Sequence, residues 1–534
     1  MTAESFLWWR DGVIYQIYPR SFASSSGSGV GDLQGIRSKL PYLQDLGVDA
    51  IWLSPIYPSP NVDFGYDVSN YVDIHPDFGS LADFDALTAD AHARGIRIVL
   101  DLVLNHTSDQ HPWFQQARQG RDNPYRDYYL WRDPRPGGGP PNNWQAVFGG
   151  SAWEWDEASG QYYYHMFYKQ QPDVNWRNPA VRQAMLDVFR FWLERGVDGF
   201  RLDVFNLYFK HADLPDNPPK LGLRGYDRQQ HLYDNNQPEM MGLLEEIRAL
   251  LDQYPERYVV GETFDSPAEM AAQYCAPGRL HAAFNFKMLT QGWRPGGYLR
   301  AVQEWEHVLS PESWPNYVLN NHDVRRSASR FGRGENDERL KVAAAMLLSL
   351  RGTPFLYYGE EIGMRDISLR RSEILDPIGK RYWPFHKGRD GCRAPMQWDA
   401  SENAGFGAGQ PWLPPHPDYT FRNAAAQAED PDSLLNFYKR LLALRREHAA
   451  LRQGLFQPLS YEPRAVLGYL RQTQTETLLV ALNFRRWPAR LVLGGRLAGK
   501  RWRLLLSNKR SEAPVPQDGV IALAGEEALI LKML

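Results

Sequence analysis

Two acids in this 534-residue chain have the type and spacing that paired acid/base or nucleophilic work would require. Gly199-Phe200-Arg201-Leu202-Asp203 ends one short apolar run in a carboxylate, and Val259-Val260-Gly261-Glu262 ends the next run in another. Arg201 precedes Asp203 by two residues and so shares its face of an extended strand. Its guanidinium is expected to keep Asp203 ionised and to fix its rotamer. An oxocarbenium-like transition state needs negative charge beneath the anomeric carbon and a proton donor above it, and a retaining enzyme obtains both from two carboxyl groups about 5 Å apart. Arg201 beside Asp203 is expected to push the two pKa values apart in the sense that leaves Glu262 as the acid. Either acid alone reads as a solvated loop residue, whereas the pair on consecutive strand ends reads as catalytic. Asp101 with Asn105-His106, and Asn320-Asn321-His322-Asp323, gather further polar groups at strand ends. Such groups are unfavourable in a core, so hydroxyl recognition is the better reading.

The elements that would position these residues follow from periodicity. Strands are predicted at Val13-Tyr18, Ala50-Leu53, Ile96-Leu102, Gly199-Leu202, Tyr258-Val260, Ala282-Phe286, Tyr317-Leu319 and Phe355-Tyr358. Helical spacing marks Ile36-Leu46, Leu81-Arg94, Pro179-Arg195, Pro238-Gln253 and Asn336-Leu350 between them. Eight strands alternating with helices predict an α/β fold, a closed (β/α)8 TIM barrel with its site at the C-terminal strand ends. The barrel is assigned residues 1–104 and 177–454. Residues 105–176, rich in aromatics and carrying Gly137-Gly138-Gly139-Pro140-Pro141, form an inserted subdomain after the third strand. Residues 360–423 form an irregular insertion after the eighth. Beyond a helix at Leu434-Glu447, the short alternating runs of residues 455–534 predict a C-terminal antiparallel β-sandwich.

Taken in order, several segments resemble glycoside hydrolase family 13, the α-amylase family, and within it the α-glucosidase and oligo-1,6-glucosidase group. They are Val13-Ile14-Tyr15-Gln16-Ile17-Tyr18-Pro19-Arg20-Ser21-Phe22, Asp101-Leu102-Val103-Leu104-Asn105-His106-Thr107, Gln171-Pro172-Asp173-Val174-Asn175-Trp176, Gly199 to Asp203, Gly261-Glu262, Asn321-His322-Asp323 and Arg393-Ala394-Pro395-Met396-Gln397-Trp398. The resemblance implies that Asp203 is the nucleophile, Glu262 the general acid/base and Asp323 a third carboxylate holding two hydroxyls of the distorted sugar. His106, His322 and Arg201 would hydrogen-bond the same ring. Asp63-Phe64-Gly65-Tyr66-Asp67 matches the family's loop after the second strand. By that match Tyr66 would stack on a terminal glucose, while Asp63 pairs with Arg393 and closes the pocket behind one sugar, which implies exo action on short substrates.

Two segments depart from the family. Many relatives hold calcium or magnesium in the loop after the first strand, but here Ser24-Ser25-Ser26-Gly27-Ser28-Gly29-Val30-Gly31-Asp32 keeps only one acid. A hard dication wants several anionic oxygens, so no metal is expected and the serines should hold the loop by turn-type hydrogen bonds. Val324-Arg325-Arg326 replaces the commoner Gln-Pro-Arg, with the arginines either serving a second subsite or lying as surface charge. Val204 is the residue type of α-1,6-cleaving members, so α-1,6-linked substrates such as isomaltose are favoured, with α-1,4 and α,α-1,1 links left open.

Composition bounds the partners. With 60 Lys+Arg against 63 Asp+Glu, the chain has no footprint for nucleic acid or an anionic membrane, so a small neutral disaccharide or oligosaccharide is expected and no cofactor. The 18 Trp and 28 Tyr suit sugar faces or simply a large core. Cys275 and Cys392 are isolated, which argues against a disulfide framework and suggests a reducing, cytoplasmic setting. No secretory signal is read in Met1 to Arg10 and no run is long enough to span a membrane. Hydrolysis of terminal α-glucosyl residues is the leading function. A transglucosidase or a sugar isomerase of the trehalose synthase kind would use the same intermediate, and a phosphosugar hydrolase would need a basic pocket that the sequence does not reveal. A silent binding member of the fold is disfavoured because all three acids are present.

Overall fold

A computed structural model of the chain describes residues 6–534 apart from Asn285, Arg333, Glu335, Tyr461 and the side chain of Arg496. Eight parallel strands run in sequence order, Ile14–Ile17, Ala50–Leu53, Arg97–Leu102, Gly199–Leu202, Tyr258–Gly261, Ala282–Ala283, Asn316–Val318 and Thr353–Tyr357. The first strand lies between the second and the eighth, with Ile14 opposite both Ala50 and Phe355, so the sheet curls into a nearly closed barrel whose seam falls between the sixth and seventh strands. Alternation along each strand builds two cores. Ile14, Trp52, Val99 and Phe355 fill the barrel interior, while Tyr15, Ile51, Ile98 and Leu356 face the surrounding helices.

Every predicted strand is present, and the differences lie at their ends. The sixth is shorter than the predicted Ala282-Phe286, because the chain leaves the sheet for a helical turn at Lys287–Thr290; Asn285 lies outside the described residues. The predicted helix Ile36-Leu46 is two, Leu33–Ser38 and Leu40–Leu46, separated at Lys39. Pro41 lacks an N–H and fits only the first turn of the second piece. Helix Pro295–Val308 was not predicted, since its opening Pro-Gly-Gly reads as a breaker although proline at the first position starts a helix well. Local signals fix other helices: Ser80 and Asp83 form a capping box on Leu81–Ala93, and Asn178 caps Pro179–Glu194.

Between the third and fourth strands, Trp131–Arg132, Gln161–Tyr164 and Trp153–Asp156 form a small antiparallel sheet. Its apolar side, including Trp144, Val147, Phe148 and Phe167, packs on Val204 and Leu207 after the fourth strand and on Ile378 after the eighth. A buried cation ties the insertion down. Lys210 Nζ donates to Asp173 at 2.5 Å, to Asn105 Oδ1 at 3.0 Å and to the Leu207 carbonyl at 2.5 Å.

At the C-terminal end, five antiparallel strands and a two-stranded ribbon, Ala489–Val492 with Val520–Leu523, enclose a core of their own around Leu479, Leu491, Ile521 and Leu531. The opposite face of the five-stranded sheet, with Tyr469, Val480 and Ile530, belongs to the same hydrophobic cluster as the barrel helices. Tyr469 and Ser349 hydroxyls meet at 2.6 Å, and Arg339 pairs with Glu526 at 2.9 Å. Cys275 and Cys392 are free and buried. Among the described residues no helix is long and apolar enough to cross a membrane.

Candidate active site

A cavity of about 380 Å³ opens at the C-terminal strand ends. Asp203 and Glu262 follow the fourth and fifth strands directly and stand on its floor, 6 % and 8 % exposed. One guanidinium grips both. Arg201 Nη1 donates to Asp203 at 2.6 Å and to Asp101 at 2.7 Å, and Nη2 donates to Glu262. The expectation that Arg201 separates the two acids by favouring Asp203 is therefore corrected, since the guanidinium bonds to each. Burial raises the Asp203 pKa to about 6, with Arg201 opposing and the buried Asp101 carboxylate reinforcing. Asp203 is mostly ionised at neutral pH, by a smaller margin than an exposed carboxylate.

Asp101 and Asn105 are corrected from sugar-recognising to supporting residues. Asp101 is 1 % exposed and sits beneath Arg201, accepting from Trp52 Nε1 and Tyr66 Oη, both at 3.2 Å. Asn105 is fully buried against Lys210 and Asp173. Asn320 likewise turns inward to Ser327 at 3.0 Å. Of the group after the seventh strand, Asn321, His322 and Asp323 line the cavity. Asn321 Oδ1 accepts the backbone N–H groups of Asp323 at 2.9 Å and Val324 at 3.1 Å, a local turn that sets the Asp323 direction.

His322 and Tyr66 form one wall, rings parallel within 5° and centroids 5.2 Å apart. Gln16 Nε2 donates to His322 Nδ1 at 2.8 Å, which leaves the ring proton on Nε2, 2.6 Å from the Tyr66 oxygen. Tyr66 then donates to Asp101, so the relay runs histidine to tyrosine to carboxylate. Burial drives the His322 pKa down to about 3, so the imidazole is neutral. His106 Nε2 lies 2.9 Å from the Tyr66 carbonyl and holds the loop that carries this ring.

The salt bridge expected between Asp63 and Arg393 is not formed. Asp63 pairs with Arg389 at 2.5 Å, and Arg389 also reaches Asp376 at 3.1 Å and Asp323 at 3.5 Å. Arg393 is fully buried behind Asp323, donating to it at 3.0 Å and to the His322 carbonyl at 2.8 Å. A short 3-10 turn, Asp390–Arg393, separates the two arginines and points the earlier one at the cavity and the later one into the protein. Desolvation opposes ionisation of Asp323, but the Arg389 and Arg393 guanidiniums outweigh it and hold the carboxyl below the usual range.

Val204 lines the cavity with φ of 34°, left-handed backbone that a β-branched residue rarely adopts, directly after Asp203. Beside Asp323, Arg325 is exposed and pairs with Asp366 at 3.2 Å. Arg326 is 1 % exposed and donates to the Tyr358 carbonyl at 2.6 Å, so it is a structural arginine. Sequence reading missed Arg389, Asp376 and Lys210, and the apolar wall built by Val147, Phe148, Phe264 and Ile378. A lone basic residue in an irregular segment carries no periodic signal that would have found Arg389.

The serine-rich loop folds around Asp32, whose carboxylate accepts from Ser25 N at 2.9 Å, Ser25 Oγ at 2.8 Å, Ser26 N at 3.2 Å and Gly35 N at 2.6 Å. Ser26 Oγ bonds Ser28 Oγ at 3.0 Å. Four protons already point at the loop's single anion, which does not fit the several anionic oxygens a hard dication requires.

The α-amylase catalytic-domain description matches residues 16–454, and a maltogenic amylase C-terminal domain description matches 456–525. The chain belongs to the α-amylase family. It is a glycoside hydrolase of that family, 45 % identical over 491 residues to a probable α-glucosidase of Rhizobium meliloti (strain 1021), covering 89 % of each chain. It is 42 % identical over 539 residues to an oligo-1,6-glucosidase of Parageobacillus thermoglucosidasius, covering 94 % of this chain and 95 % of that one. Among solved structures it superposes on an α-glucosyl transfer enzyme with a TM-score of 0.93 at 42 % identity, covering 99 % of this chain and all of the other. A trehalulose synthase from Pseudomonas mesoacidophila MX-45 gives 0.91 at 34 % identity, with the same coverage.

Proposed function

We propose that the chain is a retaining, exo-acting α-glucosidase that removes terminal non-reducing α-glucosyl residues from short α-glucosides, with α-1,6 links such as isomaltose favoured. Asp203 attacks the anomeric carbon and Glu262 protonates the departing oxygen; water then enters, gives its proton to Glu262 and releases glucose from the Asp203 ester. Asp323, held ionised by Arg389 and Arg393, accepts two hydroxyls of the sugar. Tyr66 offers its ring face, and His106, His322 and Arg201 line or brace the same sugar site. The observation that carries the reading is the pair of acids gripped by one guanidinium on the floor of a pocket walled by Asp63 and Arg389. Shared contact with one guanidinium favours the short separation of retaining enzymes over the wider one that leaves room for a water. The names of the relatives support α-1,6 cleavage.

Proton NMR of 4-nitrophenyl α-glucoside cleavage tests it, because that substrate releases a single glucose: α-glucose appears first and mutarotates. β-Glucose as first product would overturn the mechanism, and faster cleavage of maltose than of isomaltose would overturn the linkage. A second reading, glucosyl transfer or isomerisation, is favoured by the similarity to a transfer enzyme and a trehalulose synthase. An accumulating longer or isomerised sugar at high substrate concentration would support it.

A further inference from the structure

Asp203 and Glu262 leave adjacent strands, and as far as Glu262 the barrel sheet keeps them in register. The Asp203 N–H donates to the Leu102 carbonyl at 3.0 Å, and the Glu262 N–H to the Leu202 carbonyl at 2.9 Å. Beyond Glu262 the strand does not continue. It ends at Gly261, Asp265 takes left-handed backbone with φ of 46°, and the next helix, Ala268–Tyr274, begins six residues after the acid.

One side chain bridges that gap. Asn206 lies three residues after Asp203, in the short 3-10 turn Phe205–Leu207, and is 1 % exposed. Its amide pairs with both backbone groups of Phe264, two residues after Glu262: Oδ1 accepts the Phe264 N–H at 2.8 Å, and Nδ2 donates to the Phe264 carbonyl at 2.8 Å. An amide offers a donor and an acceptor side by side, as a neighbouring strand would, whereas an ionised carboxylate offers only acceptors. Nδ2 also donates to Asn235 Oδ1, and the Asn206 carbonyl accepts the Asn236 N–H at 2.9 Å, so the amide is itself held in place. Arg201 grips the Glu262 carboxylate at Oε2, and Asn206 holds the backbone that follows it.

We infer that Asn206 is a positioning residue for the acid/base: it ties the chain after Glu262 to the chain after Asp203, so that proton donor and nucleophile keep their spacing. The inference rests on the roles proposed above for the two acids. Without the amide the Phe264 N–H loses its acceptor, and the segment from Thr263 to Ser266 loses its tie to the turn after the nucleophile. A displaced Glu262 protonates the leaving oxygen poorly while Asp203 still attacks. The defect therefore grows with the leaving group's need for a proton.

Two substrates separate these effects in kcat/KM. Methyl α-glucoside releases an alkoxide that departs only when protonated, and α-glucosyl fluoride releases fluoride with little help. Neither carries a second ring, so contact with the Phe264 side chain does not enter. Glu262→Gln calibrates the comparison, with an expected loss of at least about 100-fold on the methyl glucoside and less than about fivefold on the fluoride. Asn206→Ala and Asn206→Asp should repeat that pattern more weakly, losing about 10- to 100-fold on the methyl glucoside and less than about fivefold on the fluoride. Fluoride release also reports that a variant has folded, and a single folded variant suffices. If Glu262→Gln discriminates as expected, equal losses on both substrates, unfolding of both Asn206 variants, or no loss at all would overturn the positioning role and leave the mechanism standing. Equal losses in Glu262→Gln itself would overturn the assignment of Glu262 as the acid, and the inference with it.

Discussion

Asp203 occupies a compromise that can be measured. Its carboxyl is raised to about 6 by burial, against the pull of Arg201 and with the help of Asp101. The proposed nucleophile works as an anion, so kcat/KM on isomaltose should fall below about pH 6 with unit slope; a profile flat to pH 5 would contradict this. In Asp101→Asn one nearby negative charge is gone and Arg201 is left to fewer acids. Both changes lower the Asp203 pKa, and the acid limb should move to lower pH. Folding responds with the opposite sign to an ordinary stabilising carboxylate. A raised folded-state pKa means the native protein holds a proton that the unfolded chain releases near 4, so this group's contribution to stability falls as pH rises through that interval. Arg389 gives a second prediction at this scale. Arg389→Ala leaves Asp63 and Asp376 buried without their shared cation, and KM for isomaltose should rise by about 10- to 100-fold, measured by steady-state kinetics. Asp203, Glu262 and Asp323 were legible in the sequence because they follow strands whose ends periodicity fixes. Arg389 was not, and the motif beginning at Arg393 drew the expected salt bridge onto the wrong arginine, one turn too late.

The eight strands were legible because each is buried on both faces and so reads as a short apolar run. What periodicity does not encode is how an irregular insertion is held in place. Lys210 does this by joining Asp173, at the insertion's exit, to Asn105, at its entry. Burial lowers its pKa, with Asp173 opposing, so the ammonium depends on that partner. Lys210→Met strands a buried carboxylate and should cost about 3 kcal/mol in urea unfolding. The serine loop's hydroxyl-mediated turns were legible in the sequence, but its folding around the Asp32 carboxylate, largely through backbone N–H groups, was not. Asp32 also caps helix Leu33–Ser38 through Gly35 N, so Asp32→Ala removes four accepted protons, the cap among them. About 1–3 kcal/mol of destabilisation is expected. Exhaustive treatment with a chelator should leave the wild-type melting temperature unchanged, and a drop would show that the loop holds an ion after all.

Across the whole molecule, the C-terminal sheet shares the barrel's hydrophobic cluster through Tyr469, Val480 and Ile530 and is pinned by the Arg339–Glu526 pair. Differential scanning calorimetry should therefore show one cooperative transition, and two resolved peaks would mean that the unit unfolds on its own. The sequence announced this unit by its short alternating runs, but could not show that one face is borrowed by the barrel, because alternation looks the same whether a face meets its own sheet or a neighbour. Cys275 and Cys392 are 3 % exposed, and burial pushes the Cys392 thiol up to about 12 and that of Cys275 higher still. Neither forms an appreciable thiolate at neutral pH, and the thiolate is the form that attacks oxidants, alkylating agents and disulfides. The two thiols of the folded enzyme are thereby sheltered from oxidising and reducing surroundings alike, and they carry no address.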